Sequence, residues 1–389
     1  MEESLPMSPT ARAEIVVDVG AIRRNVRLLR ALVSADRPVQ MIAVVKADGY
    51  GHGMLEAARA AREGGAEWLG VATLDEALAL RAGGDTGRVL CWLTVPGEDY
   101  AAALPADVDL TAYSVAELDE IAAAAAATGQ SARVQLKVDT GLSRGGAPRA
   151  AWADVVARAA EGERAGHWRI TGVWSHFAAS DEPAHPANDA QETAFLAALE
   201  QAERAGLRPE IRHLSNSAGA ILRPSSRFDA VRCGIAIYGL DPAPGVTDDL
   251  GLTPAMTARA RLALVKQVAP GDAVGYGATW TADHATTVGL VPAGYGDGVP
   301  RHASNAAEVA VGGKRRPIRG RVSMDQIVVD LGGDDAEPGD EVVLFGTGAD
   351  GAPTAQEWAE ACGTINYEIV TRIGGRMRRS YVDSEGDAG

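Results

Sequence analysis

Four side chains capable of chemistry stand at or just past the ends of short apolar runs: Lys46, Lys137, His176 and Arg232. Ser217 follows another such run in the segment LSNSAG. Lys46 closes the run IAVVK and opens the glycine-rich stretch ADGYGHG. A lysine preceded by four apolar residues sits where water is scarce, which lowers its pKa and favours the neutral, nucleophilic amine. A Schiff base with a carbonyl cofactor such as pyridoxal phosphate (PLP) requires that form; a lone strand-end lysine otherwise snorkels to solvent. A phosphate needs backbone N–H donors and hydroxyls, and Asn216-Ser217-Ala218-Gly219 and Cys233-Gly234-Ile235 offer both. Arg144, on the glycine-flanked loop after Val138, suits a carboxylate or phenolate clamp. His176 reads equally well as a satisfied core histidine. His176 with His185 fits no chelate spacing and His52 has no partner, so no metal is assigned.

These groups need elements that bring them to one place. Ala13–Asp18 reads as a strand and Ala21–Val33 as an amphipathic helix. Eight candidate strands then follow: Ile42–Lys46, Trp68–Thr73, Val89–Thr94, Val108–Tyr113, Arg133–Val138, Ile170–His176, Ile211–Ser215 and Val231–Tyr238. Helical patterns such as Met54–Glu63, Leu74–Arg81, Val115–Ala127, Trp152–Ala160 and Glu192–Ala205 separate most of them. Several of these helices end at a glycine. Alternation of this length predicts an α/β fold of the (β/α)8 TIM barrel type, whose active groups collect at the C-terminal strand ends. A doubly wound open sheet shows the same alternation, although no GxGxxG opens the first unit.

Past Asp241 the chain turns rich in Pro, Gly and Asp, and then in short strand-like runs, with only Thr354–Ala361 looking helical. The expected organisation is a flexible N-terminus over 1–12, a barrel over 13–244, a mostly-β domain over 245–382 and a frayed acidic tail over 383–389. With 37 Lys+Arg against 52 Asp+Glu the net charge is −15, which disfavours nucleic acid and anionic membrane as partners. Three scattered cysteines make no disulfide framework, and neither a signal peptide nor a membrane-spanning run is evident. A cytoplasmic protein is expected.

The motifs resemble those of bacterial alanine racemases. The matching runs are AVVKADGYGHG (43–53), LKVDTGLSRGG (136–146), SHFAASDE (175–182), NSAG (216–219), VRCGIAIYGL (231–240), VGYGATW (274–280), GYGDGVPR (294–301), GRVSMDQ (320–326) and TINYE (364–368), in the family's order. The resemblance implies a PLP-binding barrel followed by a β domain, a homodimer with shared active sites, and interconversion of L- and D-alanine for peptidoglycan synthesis. It implies that Lys46 carries the cofactor and acts as one catalytic base, and that Tyr276, from the partner subunit, is the other. It assigns cofactor contacts to Tyr50, His176, Ser217, Arg232, Gly234, Ile235 and Tyr367, with Arg232 facing the pyridine nitrogen. Arg144 and Met324 would bind substrate, Lys137 would be a possible carbamate, and Tyr295, Arg301 and Asp325 would line the substrate entrance. Leu142-Ser143 stands where the family often has Met-Gly.

Three competing readings share these parts. A racemase of broader specificity would keep the same machinery, but bulky Tyr276 and Tyr367 favour a small side chain. A PLP-binding barrel without racemase activity would lack the second domain and its GYGATW run. A PLP decarboxylase of barrel plus β domain would want a carboxylate, not Arg232, at the pyridine nitrogen.

Overall fold

The computed structural model describes residues 7, 11–247 and 249–385. The chain forms two compact units, one comprising Ile22–Gly49 and Gly53–Leu252, the other Met1–Ala21, Tyr50–His52 and Thr253–Gly389. The leading strand, β1 (Ala13–Asp18), belongs to the second of these.

The first unit is built on eight parallel strands: β2 (Gln40–Val44), β3 (Trp68–Val71), β4 (Arg88–Cys91), β5 (Asp109–Ala112), β6 (Ala132–Lys137), β7 (Trp168–Trp174), β8 (Ile211–His213) and β9 (Ala230–Cys233). Each pairs with its neighbour in chain order from β2 to β8, and β9 pairs with β2 (Ile42 opposite Arg232). Backbone bonds from Asp229 N–H to the Arg212 carbonyl (3.0 Å) and from Arg232 N–H to the Ser215 carbonyl (2.9 Å) join β9 to β8. That return closes the sheet, so the unit is the expected barrel and not the open alternative. Ile42, Trp68, Leu90, Ile211 and Ala230 pack together as a buried cluster, with Trp92 against it.

Helices cover the barrel for the reasons read in the sequence. Ser114 caps helix Val115–Thr128 and Gly129 ends it at φ 69°. Helix Met54–Glu63 buries only alanines, Ala57, Ala58, Ala60 and Ala61, which lets its backbone approach closely. Gly162 is a helical glycine with a packing reason: a Cβ there would run into the Trp168 ring. The indole N–H of Trp168 donates to the Ala159 carbonyl (2.8 Å), which pins the ring in that slot.

The expected last strand, Val231–Tyr238, stops at Cys233, and Ile235–Tyr238 is a 3-10 turn. Gly234 (φ −105°, ψ −95°) breaks the extended backbone there. The first expected strand likewise ends at Val44, before Lys46.

The second unit contains β10 (Met256–Arg261), β11 (Leu264–Val268), β12 (Ala273–Val274), β13 (Trp280–Thr281), β14 (Thr286–Val291), β15 (Glu308–Val311), β16 (Lys314–Arg319), β17 (Ile327–Gly332), β18 (Glu341–Phe345) and β19 (Arg378–Val382). Nine strands form one sheet in the order β11-β14-β17-β16-β15-β18-β10-β1-β19, and β12 and β13 form a hairpin. β1 therefore departs from the expectation that 13–244 is one domain. Glu14 lies directly opposite Arg259 of β10, and the two form a buried ion pair (2.7 Å). Breaking such a pair would strand a buried charge, which fixes β1 in this sheet.

Two further expectations are corrected. A second helix, Asn366–Arg372, follows the anticipated one, which spans Ala355–Cys362. Its β-branched run IVT hides it locally, and burial of Ile369 and Val370 holds it. Of the tail expected to fray, Ser384 bonds to Asp18 through its hydroxyl (2.6 Å), while 386–389 lie outside the described residues. The N-terminal expectation falls mostly outside them too, but Arg12 is held by Asp297 (3.1 Å). No described helix is long and apolar enough to cross a membrane.

Replacing a helical glycine with alanine normally stabilises by about 0.5–1 kcal/mol. Gly162→Ala should instead destabilise by about 1–3 kcal/mol through overpacking against Trp168. Urea unfolding decides this, and a rise in the midpoint would refute the packing argument.

Candidate active site

Lys46 stands two residues past the end of β2, and the chain turns there in an unusual way. Ala47, Asp48, Gly49 and Tyr50 all have φ between 53° and 63°, a single left-handed turn. L-residues occupy that region at a cost of about 1–2 kcal/mol each, so the turn persists because its surroundings hold it. Ala47 N–H donates to the Glu76 carboxylate (2.7 Å), and Asp48 accepts from Met54 N–H (2.9 Å). The Lys46 ammonium position lies 5.7 Å from the Trp92 ring centroid. Burial lowers its pKa, helped by Arg144 and Arg232 and opposed by Glu76. The amine required at this place is thus favoured by the fold.

Around it the barrel interior is polar on one side. Arg232, at the end of β9, is buried and tied down on several sides. It donates to the carbonyls of Ser175 (2.7 Å) and Leu214 (3.0 Å), to His213 Nδ1 (2.8 Å) and to His176 Nδ1 (3.2 Å). A guanidinium only donates, so both Nδ1 atoms accept and each ring carries its proton on Nε2. His213 passes its Nε2–H to the Gln135 side-chain oxygen (2.7 Å) and stacks on Trp174 at 5.5 Å. Two cations also lie near Trp174, the Arg232 guanidinium at 4.7 Å and the Lys137 amine at 4.6 Å from its ring centroid.

Cations crowd this rim. Burial, Arg232 and Arg144 bring Lys137 down to about 8. Burial is also the main cause that pulls Arg232 to about 9, which leaves it charged at neutral pH. His176 and His213 are pushed well below 6.5 by burial and then by Arg232. Arg144 sits on an exposed loop that Asp139 organises by accepting from Gly141 N–H (2.9 Å) and Ser143 N–H (3.1 Å). Ser143 takes a positive φ of 56°, the conformation in which a glycine is free of strain.

The donor set fits PLP. Asn216 caps Ser217–Leu222 by accepting from Gly219 N–H (3.0 Å). The Ser217 hydroxyl accepts from Gly234 N–H (2.9 Å), leaving its own proton to donate. Ile235 is buried beside it at the start of the 3-10 turn. A phosphate could be held by these groups, a ring nitrogen would face Arg232 as an acceptor, and the carbonyl carbon would be met by the Lys46 amine.

The remaining expected residues lie in the other unit. Tyr50 and Tyr367 are brought together there, their rings 6.2 Å apart. Tyr276 starts a 3-10 turn between β12 and β13, flanked by Gly275 and Gly277 at φ 74° and 72°. A Cβ on Gly277 would come within 2.9 Å of the Arg321 guanidinium. The Tyr276 ring is 72% exposed. Tyr295 and Met324, 43% and 55% exposed, lie side by side through bonds from Tyr295 N–H to the Ser323 carbonyl (3.0 Å) and from Gly296 N–H to the Met324 carbonyl (2.8 Å). Asp325 next to them accepts from Arg376 (2.6 Å), which also clamps the buried Asp297. Arg301 is exposed at the start of its own 3-10 turn.

Sequence reasoning missed Trp92, Trp174, His213, Gln135 and Glu76. One signal was available: on β6, polar Gln135 and Lys137 alternate with apolar Val134 and Leu136. On a strand buried on both faces, a polar face must point at something inside.

Two neutral histidines, His213 buried and His176 half-buried, make a testable signature. Unfolded, they bind protons below about pH 6.5; folded, they do not. The stability is therefore fully present above that value and is lost as the pH falls through it. The urea midpoint should drop between about pH 7 and about pH 5, and nitrogen NMR should show His213 as the Nε2–H tautomer throughout. An imidazolium signal for His213 at pH 6 would contradict the Arg232 contact.

Comparison with known proteins agrees with this geometry. A family model for the alanine racemase N-terminal domain matches residues 17–242, and one for the alanine racemase C-terminal domain matches 255–381. Alanine racemase from Salinispora arenicola is 53% identical over 371 residues, covering 95% of this chain and 98% of that protein. The Streptomyces coelicolor enzyme is 52% identical over 380 residues, covering 96% of each chain. The crystal structure of alanine racemase from the D-cycloserine producer Streptomyces lavendulae superposes with a TM-score of 0.95 at 48% identity, over 98% of this chain and all of that one. With both domains matched in order and half the residues shared, the chain belongs to the alanine racemase family.

Proposed function

We propose that the chain interconverts L- and D-alanine with bound PLP, using Lys46 and Tyr276 as opposed bases, and so supplies D-alanine for peptidoglycan. The observation that carries this is the half-buried Lys46 amine, its pKa lowered by burial, on a rim it shares with the buried Arg232 guanidinium.

When bound, PLP withdraws electrons from the substrate Cα and makes its proton acidic. Everything else falls to the chain. Racemisation takes a proton from one face of Cα and returns one to the other, and two opposed groups do this without either swinging round. Lys46 holds or gives a proton at Nζ on one face, and Tyr276 does so at Oη on the other. Taking the proton from L-alanine is the part of Tyr276, and from D-alanine that of Lys46. Arg144 would orient the substrate carboxylate, joined by the Met324 backbone N–H of a second copy. Ser217, Gly234 and Ile235 would hold the phosphate. Arg232 keeps its proton, so it would leave a ring nitrogen set against it unprotonated, which would favour reprotonation at Cα over transamination. Tyr295, Arg301 and Asp325 line the way in.

Tyr276 stands exposed on a tight 3-10 turn, which suits a residue that completes the site of a second copy. On this reading the chain works as a homodimer with shared sites. Three free cysteines suit a reducing cytoplasm. Lys137, brought to about 8 among Arg232, Arg144 and Lys46, keeps enough neutral amine at neutral pH to add carbon dioxide. The resulting carbamate anion would offset those cations and orient Arg144.

L-alanine incubated with the enzyme in heavy water should give D-alanine deuterated at Cα, and D-alanine free of deuterium would refute proton exchange with the chain. Lys46→Ala and Tyr276→Phe should each be inactive, yet mixing them under subunit exchange should restore about one quarter of full activity, because mixed dimers hold one intact site. No recovery in verified mixed dimers would overturn the shared site. Carbon NMR with labelled bicarbonate should show a carbamate signal that Lys137→Ala removes; its persistence would reassign it.

A further inference from the structure

We propose that Glu76 is a positioning residue for Lys46, holding the peptide that follows the lysine in place and setting the charge balance of its amine. The proposal rests on Lys46 being the reactive amine.

Glu76 sits at the third position of helix Leu74–Ala82, where a glutamate ordinarily reaches back to complete a capping box with Thr73. Here the Oε2 atom does that work, accepting from Thr73 N–H (3.3 Å) and Ala72 N–H (2.8 Å) at the end of β3. The Oε1 atom does something a cap does not require. It leaves its own helix and accepts from Ala47 N–H (2.7 Å), the amide bonded to the Lys46 carbonyl carbon. One carboxylate thus ties the end of β3 to the peptide plane that ends at Lys46.

The place it ties is the one that needs tying. Ala47 and Asp48 both adopt the left-handed region at φ 53°, which non-glycine residues leave unless restrained. Without the bond at Ala47 N–H, relaxation of the Lys46–Ala47 peptide would rotate the lysine off its line. A misplacement of about 1 Å at a reacting group lowers rates by about 100-fold.

Charge gives Glu76 its second effect. The groups facing Lys46 are Arg144 from the loop after β6, Lys137 of β6, Arg232 of β9 and neutral His176 beyond β7. Among the groups that act on the lysine, Glu76 alone pulls its pKa upward, against burial, Arg144 and Arg232. It therefore opposes the lowering caused by burial and the arginines, and a group that must both accept and return a proton needs that balance.

The test uses the full-length chain and three variants. Glu76→Gln keeps the shape and an acceptor oxygen but removes the charge. In protein freed of cofactor, carbon NMR of reductively methylated lysines should show the Lys46 pKa lowered by about one unit in this variant. In the holoenzyme the pH profile of kcat should shift the same way, with kcat down about tenfold or more and KM within about twofold. Thr73→Ala removes the other half of the capping box without touching the bond to Ala47. It should lower the melting temperature about as much as Glu76→Gln, with the Lys46 titration and kcat unmoved. Glu76 would be a helix cap only, and the proposal overturned, if both variants lose stability alike while the Lys46 pKa and the pH profile of Glu76→Gln match the wild type. Lys46→Arg separates the two readings: retained racemisation in that variant would sink the role of Lys46 itself, whatever Glu76 does.

Discussion

The rim of the barrel gathers cations where water is scarce, and the rest of the structure answers that constraint. Lys46, Lys137, Arg144 and Arg232 act on one another electrostatically, and burial weighs most on those inside the barrel. Like charges held together in a desolvated place raise the free energy of the ligand-free fold. The pKa values of both lysines fall in response, that of Lys137 to about 8. Arg232 stays charged at neutral pH and is satisfied by two carbonyls and two neutral imidazoles. The same field draws a ligand carrying a phosphate and a carboxylate, so what strains the free protein becomes binding energy.

The barrel supplies the rigidity this arrangement needs. His213, Gln135, Trp174 and Lys137 come from three adjacent strands, β6 to β8, each fixed by parallel pairing. Because strand residues alternate in direction, a polar group at every second place builds a polar wall inside an otherwise apolar barrel. The protonation states then follow from connectivity: an arginine that only donates forces both histidines to accept. The left-handed turn after Lys46 is strained, and it is pinned by Glu76 and Asp48.

Much of this was legible in the residues. All eight barrel strands were expected within a few residues, because apolar runs bounded by glycines and helix caps carry that signal locally. Lys46 could be read from IAVVK followed by glycines, since its environment is set by its immediate neighbours. What escaped depends on contacts distant in sequence. Nothing within AEIVVD tells that Glu14 faces Arg259, so β1 was expected with the barrel. His213 in IRHLS looks like any buried histidine until Arg232 is beside it. The helix that carries Tyr367 is held by burial of Ile369 and Val370 against a β-prone sequence. Tyr276 stood out only through its resemblance to a known motif, because a single chain leaves it exposed.

Among the rim's lysines, Lys46 is the one proposed to meet a carbonyl ligand. Borohydride reduction of the purified protein followed by peptide mass spectrometry tests it most directly. A single cofactor-derived mass is expected on the peptide containing Lys46 and none on that containing Lys137. Label on Lys137 in place of Lys46, or no label in a protein that racemises alanine, would contradict it.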